Sequence, residues 1–209
     1  MRGGAFVPMM TLCLLLCGCG GAEKTAPDLL ERYRTMSGCT MEAEVSCDWE
    51  GLPWSAGMRC DYVPEGESTI ELLSPETLTG VTVVLEEDTW YLRVGEKTLD
   101  AGSVSPEKIS PAACLPRMMH ALRNGWLLEE NEENWQGVAC RRVAVDQSGE
   151  QGTILTTLWL RQEDGTPLRG EIAVDGERVL TAEFTSFAFC DTTRVCQLRR
   201  NEWGKKRII

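Results

Sequence analysis

Apolar and polar side chains alternate without interruption from Met41 to Glu50. Successive side chains of an extended chain point to opposite faces, so this period of two predicts a strand with one buried face. The alternation resumes from Trp54 to Tyr62, and Leu52-Pro53 between the segments predicts an antiparallel hairpin. The apolar faces consist of Met41, Ala43, Val45, Cys47 and Trp49 in the first strand and of Trp54, Ala56, Met58, Cys60 and Tyr62 in the second.

Strand patterns recur along the rest of the chain. Residues 68–73 predict a third strand, and residues 81–94 predict a hairpin that turns at Glu87-Asp88. In the second half, Asp-Gly turn signals separate the last three predicted strands. We expect strands there at Val138–Val145, Ile154–Arg161, Pro167–Val174 and Arg178–Phe189.

Two segments have helical periodicity instead. Asp28–Gly38 carries four apolar residues at helical spacing and ends in a glycine stop. A second helix is predicted over Pro116–Arg123, after a short turn that Ser110 can cap and that Pro116 interrupts. This order of elements predicts an α+β fold with a large, curved antiparallel sheet. A sheet of about eight or more strands curls, so a few short helices are expected to cover its concave face.

The N-terminus resembles a bacterial lipoprotein signal. Arg2 precedes an apolar run of about a dozen residues, which is too short to span a membrane. The sequence Leu16-Cys17-Gly18-Cys19 is similar to a lipobox, apart from the unusual cysteine at its second position. The resemblance implies a signal peptide 1–18, a diacylglyceryl group on Cys19 that anchors the protein to the extracytoplasmic face of the membrane, and a tether 19–27. An ordinary secretory signal is the alternative.

The charge distribution excludes one class of partner. The chain carries 32 acidic and 21 basic residues, a net charge of −11. A surface this acidic is unsuited to nucleic acid. The C-terminal tail 191–209 is different, because it holds six basic and two acidic residues together with Trp203 and two isoleucines. Such a tail is either a solvated terminus or a segment that contacts anionic lipid.

Ten cysteines are present. Without Cys13, Cys17 and the acylated Cys19, seven remain in a compartment that permits disulfides. Cys47 and Cys60 have the same parity on neighbouring predicted strands, and a register that places them opposite each other brings their Cα atoms within bridging range. We therefore expect a Cys47–Cys60 disulfide. Pairing among Cys39, Cys140, Cys190 and Cys196 stays open, and the odd count leaves a free thiol, which we place at Cys114 or Cys196.

No catalytic or metal-binding arrangement stands out. The cysteine spacings do not match a zinc site, and the chain lacks a nucleophile elbow, a phosphate loop and a dinucleotide fingerprint. The acidic runs 85–90 and 129–134 lack the calcium-loop pattern and are predicted to be solvated turns. His120 is the single histidine, and a Cys114–His120 pair is a remote enzymatic alternative. We expect a protein that is not an enzyme and that uses no metal or cofactor.

The ordering of elements, together with several short motifs, resembles the LolA-like group of lipoprotein carriers and related bacterial lipoproteins, which includes a clostridial spore-germination lipoprotein. The residues concerned are the first helix with Tyr33 and Met36, the strand Met41–Trp49, the turn in Leu72–Val81 and the strand pair in Leu158–Ile172, followed by Glu183-Phe184. The resemblance implies a LolA-like domain over residues 28–190, in which a half-open barrel forms a hydrophobic cup closed by helices. Soluble carriers of this group are not acylated, so Cys19 points to its anchored relatives.

The apolar residues that this resemblance places around the cup suit a flexible apolar site. Two hypotheses follow: a non-enzymatic lipoprotein that binds a lipid or a lipidated protein in the cup, or an interaction module with a filled core that binds an envelope protein, for instance a cell-wall or germination enzyme. The residues are equally typical of an ordinary core. The cup candidates are Met41, Val45, Trp49, Met58, Tyr62, Met118, Met119, Leu122 and Trp126.

Overall fold

The computed structural model describes residues 29–49, 52–86, 89–103, 109–149 and 152–190, and of these the side chains of Trp49, Leu52 and Ser103 are left undescribed. The expected signal peptide, Cys19, the tether and the basic tail lie outside the described residues. Within them, eleven strands form a single antiparallel sheet, accompanied by two α-helices. The predicted α+β class with a large curved antiparallel sheet is confirmed.

The elements alternate between two meanders and two helices. The helices are α1 (Leu29–Thr35) and α2 (Cys114–Asn124). The first meander holds β1 (Gly38–Trp49), β2 (Leu52–Tyr62), β3 (Ser68–Leu72), β4 (Val81–Glu86), β5 (Thr89–Val94) and β6 (Lys97–Ser103). The second holds β7 (Trp126–Trp135), β8 (Val138–Asp146), β9 (Ile154–Arg161), β10 (Pro167–Val174) and β11 (Glu177–Cys190).

The two meanders join in the middle of the sheet, where β1 pairs with both β2 and β11. The strand order is β6-β5-β4-β3-β2-β1-β11-β10-β9-β8-β7, so β6 and β7 are the two edges. These edge strands are consecutive in sequence. The chain between them, which contains α2, therefore leaves one edge of the sheet and arrives at the other.

The register of the β1–β2 hairpin differs from the expected one. Trp49 already pairs with Leu52, so Cys47 lies opposite Trp54 and Cys60 lies opposite Met41. Neither Cys47 nor Cys60 is disulfide-bonded, so the predicted Cys47–Cys60 disulfide is wrong. Pro53 belongs to β2 rather than to the turn. Proline is tolerated there because β3 pairs only with the 58–61 part of β2, which leaves Pro53 beside a single neighbouring strand.

Three further expectations need correction. Pro116 does not interrupt α2, because it lies in the first turn, where the backbone N–H has no intrahelical partner in any case. The strand β6 was not expected. The acidic run 129–134, predicted to be a solvated turn, is the centre of the strand β7.

The convex face of the sheet is polar and ordered by ion pairs across strands. The Arg59 guanidinium on β2 lies between Glu42 on β1 and Glu71 on β3, with N–O distances of 2.6 and 3.4 Å. Farther along, the guanidinium of Arg169 pairs with Glu171 and lies over the Trp135 ring, 4.7 Å from its centroid. Opposite charges on neighbouring strands, as in these pairs, stabilise the sheet across its polar face.

The concave face packs against α2 at a glycine. A Cβ atom on Gly170 of β10 would lie 2.5 Å from the sulfur of Met118 and 3.0 Å from its terminal methyl carbon. The Met118 side chain therefore occupies the space that any larger residue would need at this position. Both helices contribute side chains to the buried cluster that the concave face of the sheet forms. The helical residues that cover this face are Leu115, Met118, Met119 and Leu122 of α2 and Leu29, Leu30 and Tyr33 of α1.

Because Met118 fills the space above Gly170, the variant Gly170→Val should overpack the core. We expect it to lower the free energy of unfolding by about 1–3 kcal/mol, measured by urea denaturation. Met118→Ala in the Gly170→Val background should recover part of this loss, whereas Ala139→Val, at an exposed strand position, should change stability by less than about 0.5 kcal/mol. Additive effects of the two core substitutions would contradict the contact.

Candidate functional site

Most of the expected cup residues are brought together, but as a packed core. Met41, Val45, Met58 and Tyr62 line the concave face, and all are buried. Met118, Met119 and Leu122 lie over them on α2 and are buried in the same cluster. Because these side chains of the sheet and of α2 have almost no exposed surface, there is no room for a ligand between the sheet and the helix. The helix therefore fills this part of the cup.

Two of the cup candidates behave differently. Trp126 was expected to lie over the cup, but it is 76% exposed and belongs to the edge strand β7. The chain reaches β7 directly after Gly125, whose N–H closes α2 on the Ala121 carbonyl at 2.8 Å. The helix thus ends at the rim of the sheet, and Trp126 is outside the core. The Trp49 side chain is not among the described ones.

The part of the concave face that β5 and β6 form lies beyond α2, and its side chains are only partly covered. Val94 on β5 and Leu99 on β6 are 48% and 58% exposed. Trp90, farther inside on β5, is buried, and its indole N–H has no hydrogen-bond partner. A separate groove of about 380 Å³ opens at the far end of β1, β2 and β11, where Asp48, Trp54 and Arg178 are among its lining residues. None of the expected cup residues whose side chains are described lines that groove.

The buried thiols are unsuited to nucleophilic chemistry. Burial is the main cause that raises the pKa of Cys114 to about 12, so this thiol stays protonated at neutral pH. Burial likewise raises the pKa of Cys39 and Cys60. His120 is six residues from Cys114 on α2, and burial together with the charges of Arg117 and Arg123 lowers its pKa. A buried, protonated thiol has little of the thiolate that a cysteine nucleophile needs.

Cysteine oxidation differs from the expectation as well. Among the described cysteines, Cys190 is disulfide-bonded, whereas Cys39, Cys47, Cys60, Cys114 and Cys140 form no disulfide. Cys114, one of the two positions at which a free thiol was expected, is therefore one of five described cysteines without a disulfide. In the same part of the chain, no group of three or more His, Cys, Asp and Glu residues is arranged to hold a metal ion.

Among the described residues, the most exposed apolar surface lies on β7. Trp126, Leu127 and Leu128 follow one another in sequence and are 76%, 37% and 56% exposed. A break in register between Leu127 and Glu129 leaves Leu128 without a partner on β8. Every residue of β7 except Trp135 is exposed, and among the described strands β7 pairs with β8 alone. Sequence reasoning missed this surface because its residues follow neither a strand nor a helix pattern.

Polar contacts hold the inner side of β7. Glu129 and Glu130 form ion pairs with Arg142 and Arg141 of β8 at 2.9 and 2.8 Å. The indole N–H of Trp159 on β9 donates to Glu133 at 2.8 Å. Hydrogen bonds from Arg142 and Asn131 lower the pKa of Glu129, so it remains ionised at neutral pH. The strand is thus a fixed edge with an excess of negative charge.

Comparisons with known proteins concern the fold. No protein-family model matches the sequence, and no curated protein does. The structure is similar to an uncharacterised conserved protein from Thermus thermophilus, with 16% identity, a TM-score of 0.48 and coverage of 84% of this chain and 93% of that one. It is also similar to a LolA superfamily protein from Nitrosomonas europaea, with 9% identity, a TM-score of 0.45 and coverage of 81% and 96%.

A third similar structure is the complex of the CwlD amidase with the GerS lipoprotein from Clostridioides difficile, with 12% identity, a TM-score of 0.38 and coverage of 78% and 92%. A LolA-like fold was expected from the sequence, and the LolA superfamily is among the matches.

Of the helices in the described part of the chain, none has the length and apolar character needed to cross a membrane.

Burial predicts that the thiols of Cys39, Cys60 and Cys114 are protected. In the native protein they should react with iodoacetamide at least about 100-fold more slowly than in denaturant, because both access and thiolate formation are suppressed. Peptide mapping after labelling without reductant measures this. A Cys47–Cys60 linked peptide, or equal labelling rates in both states, would contradict the structure.

Proposed function

We propose that this protein is a lipid-anchored interaction module of the bacterial cell envelope, which binds a partner protein along the open edge of β7. The observation that carries the proposal is the exposure of Trp126, Leu127 and Leu128 on an edge strand. Contiguous exposed apolar residues on a monomer mark interaction sites. Here they lie beside a row of backbone groups that a partner strand can pair with.

The contrast between the two edges supports this assignment. The strand β6 is short, with seven residues, and begins with Lys97. A lysine and a short strand are among the means by which proteins protect an edge. The strand β7 is ten residues long and contains neither lysine nor proline. Its glutamates oppose pairing with a second copy, and they leave it open to a basic strand.

The filled concave face is the reason for preferring this function to ligand carriage. A carrier needs a chamber, whereas Met58, Met118 and Met119 have no exposed surface. An apolar ligand would be confined to the outer part of the concave face, near Val94 and Leu99. The interaction module with a filled core is the hypothesis that agrees with these contacts.

The interaction is tested by a photo-crosslinking residue placed at Leu128, with Thr98 on the opposite edge as the matched control. In the native cell, Leu128 should give an adduct with a second envelope protein and Thr98 should not. Trp126→Ser should reduce the adduct at least about fivefold without changing stability by more than about 0.5 kcal/mol, because Trp126 is an exposed surface residue. Equal adducts from both edges, or none from Leu128, would contradict the proposal.

The anchor is tested separately. Cys19→Ser removes the thiol to which the lipobox resemblance assigns the diacylglyceryl group, and with it both acyl chains of that group. We expect the protein to move from the membrane fraction to the soluble extracytoplasmic fraction, as measured by fractionation and immunoblotting, while Cys17→Ser should have no effect. Retention of the Cys19→Ser protein in the membrane would contradict the lipobox assignment.

A further inference from the structure

We propose that a fork in the sheet, between residues 47–49 of β1 and 177–180 of β11, binds the free N-terminal segment of a partner protein. The groove of about 380 Å³ that Asp48, Trp54 and Arg178 help to line lies in this fork. Its volume is within the range of about 300–1,000 Å³ that ligand pockets have. The inference does not rest on the proposed role of β7, which lies four strands away from β11.

The fork exists because the pairing of β1 with β11 ends before either strand does. The last pair joins Cys47 to Leu180. Beyond it, β1 stays paired with β2 as far as Trp49, and β11 stays paired with β10 as far as Glu177. Within the described residues, the two strands therefore follow separate hairpins over their last few positions, and the groove opens between them.

A β-bulge on β11 explains why the strands diverge. In the pairing with β10, Leu180 lies opposite Ile172. The next residue of β10, Ala173, already lies opposite Arg178, so Val179 has no partner there. Among the described pairs, Val179 has no partner on β1 either. A bulge bends its strand and increases the local twist, which turns the end of β11 away from β1.

The two sides of the fork differ in polarity. On the concave side, Cys47 and Leu180 belong to the buried cluster, and Trp54 packs against it. Asp48 follows Cys47 in the strand and points to the opposite, convex side. An extended peptide presents alternate side chains to the two faces of a sheet. In the fork, its apolar side chains would therefore lie near Trp54 and its polar groups near Asp48.

The uncompensated charge of the fork is negative. Arg178 donates from its guanidinium to the carboxylate of Glu171 at 3.1 Å, so its positive charge is compensated within the sheet. In the part of the chain that the structure describes, the carboxylate of Asp48 is exposed and forms no ion pair. A cationic group of a ligand is therefore the charge that complements this groove.

The position of Asp48 favours a chain end over an internal segment. Asp48 directly follows the last pair of β1 with β11, so it lies at the closed base of the fork, past which an inserted strand cannot continue. Residues 177–179 extend about 10 Å at ~3.3 Å each, which leaves room beside them for about three residues of a peptide. A free α-amino group is largely protonated at neutral pH. At the end of such a strand it would lie beside the carboxylate of Asp48.

The test uses the pentapeptide Val-Ser-Val-Ser-Gly, labelled with fluorescein at its C-terminus, and the purified mature Cys19→Ser chain. Fluorescence anisotropy measures the dissociation constant. The peptide with a free amine should bind at least about tenfold more tightly than its N-acetylated form, because acetylation removes the charge that pairs with Asp48. Asp48→Asn should abolish this difference. The matched control Glu44→Gln, which changes an exposed carboxylate of β1 outside the groove, should preserve it.

Four results would overturn the inference. One is the absence of saturable binding by the free-amine peptide, and another is equal binding of the free and acetylated forms. A third is equal binding of acetyl-Lys-Ser-Val-Ser-Gly, which would assign the cation to a lysine side chain. The fourth is loss of binding in Trp126→Ser, which would place the peptide on β7. Photo-crosslinking from Leu128 in cells does not involve the fork, so either proposal can fail while the other stands.

Discussion

The structure depends on the passage of the chain from one edge of an eleven-stranded sheet to the other. Ten spacings of ~4.8 Å separate β6 from β7, about 48 Å measured along the sheet. The twenty-two intervening residues, eleven of them in α2, reach about 53 Å at most. The chord across the inside of the curved sheet is shorter than this path, whereas a route over the convex face is longer. The chain length therefore directs α2 across the concave face.

This crossing determines both what fills the concave face and which side chains are exposed at the edge of the sheet. Met118 lies against Gly170, and the apolar side of α2 takes the place that a bound ligand would have in an open cup. The same connection delivers the chain to the edge at Trp126, where no further strand among the described residues covers it. One covalent constraint thus explains why the interior is closed and why the most exposed apolar surface is at the rim.

The sequence predicted the parts of this fold that depend on local periodicity. The alternation from Met41 to Trp49 identified the buried face of β1, and the strands of the second half were placed to within a few residues. The register of β1 against β2 was missed because a shift of six residues preserves every face, so parity alone does not distinguish the two pairings. The strand β7 was missed because Glu129–Asn134 is polar on both faces, and its strand conformation comes from pairing with β8.

Whether the concave face forms a filled core or an open cup could not be predicted from the sequence. Met118 and Met119 would have the same residue type and the same spacing along α2 in either case. The most direct measurement is native mass spectrometry of the mature Cys19→Ser protein, purified from its own envelope without detergent. The filled concave face predicts the bare polypeptide mass. A stoichiometric bound lipid that is retained through purification and lost on unfolding would contradict the account.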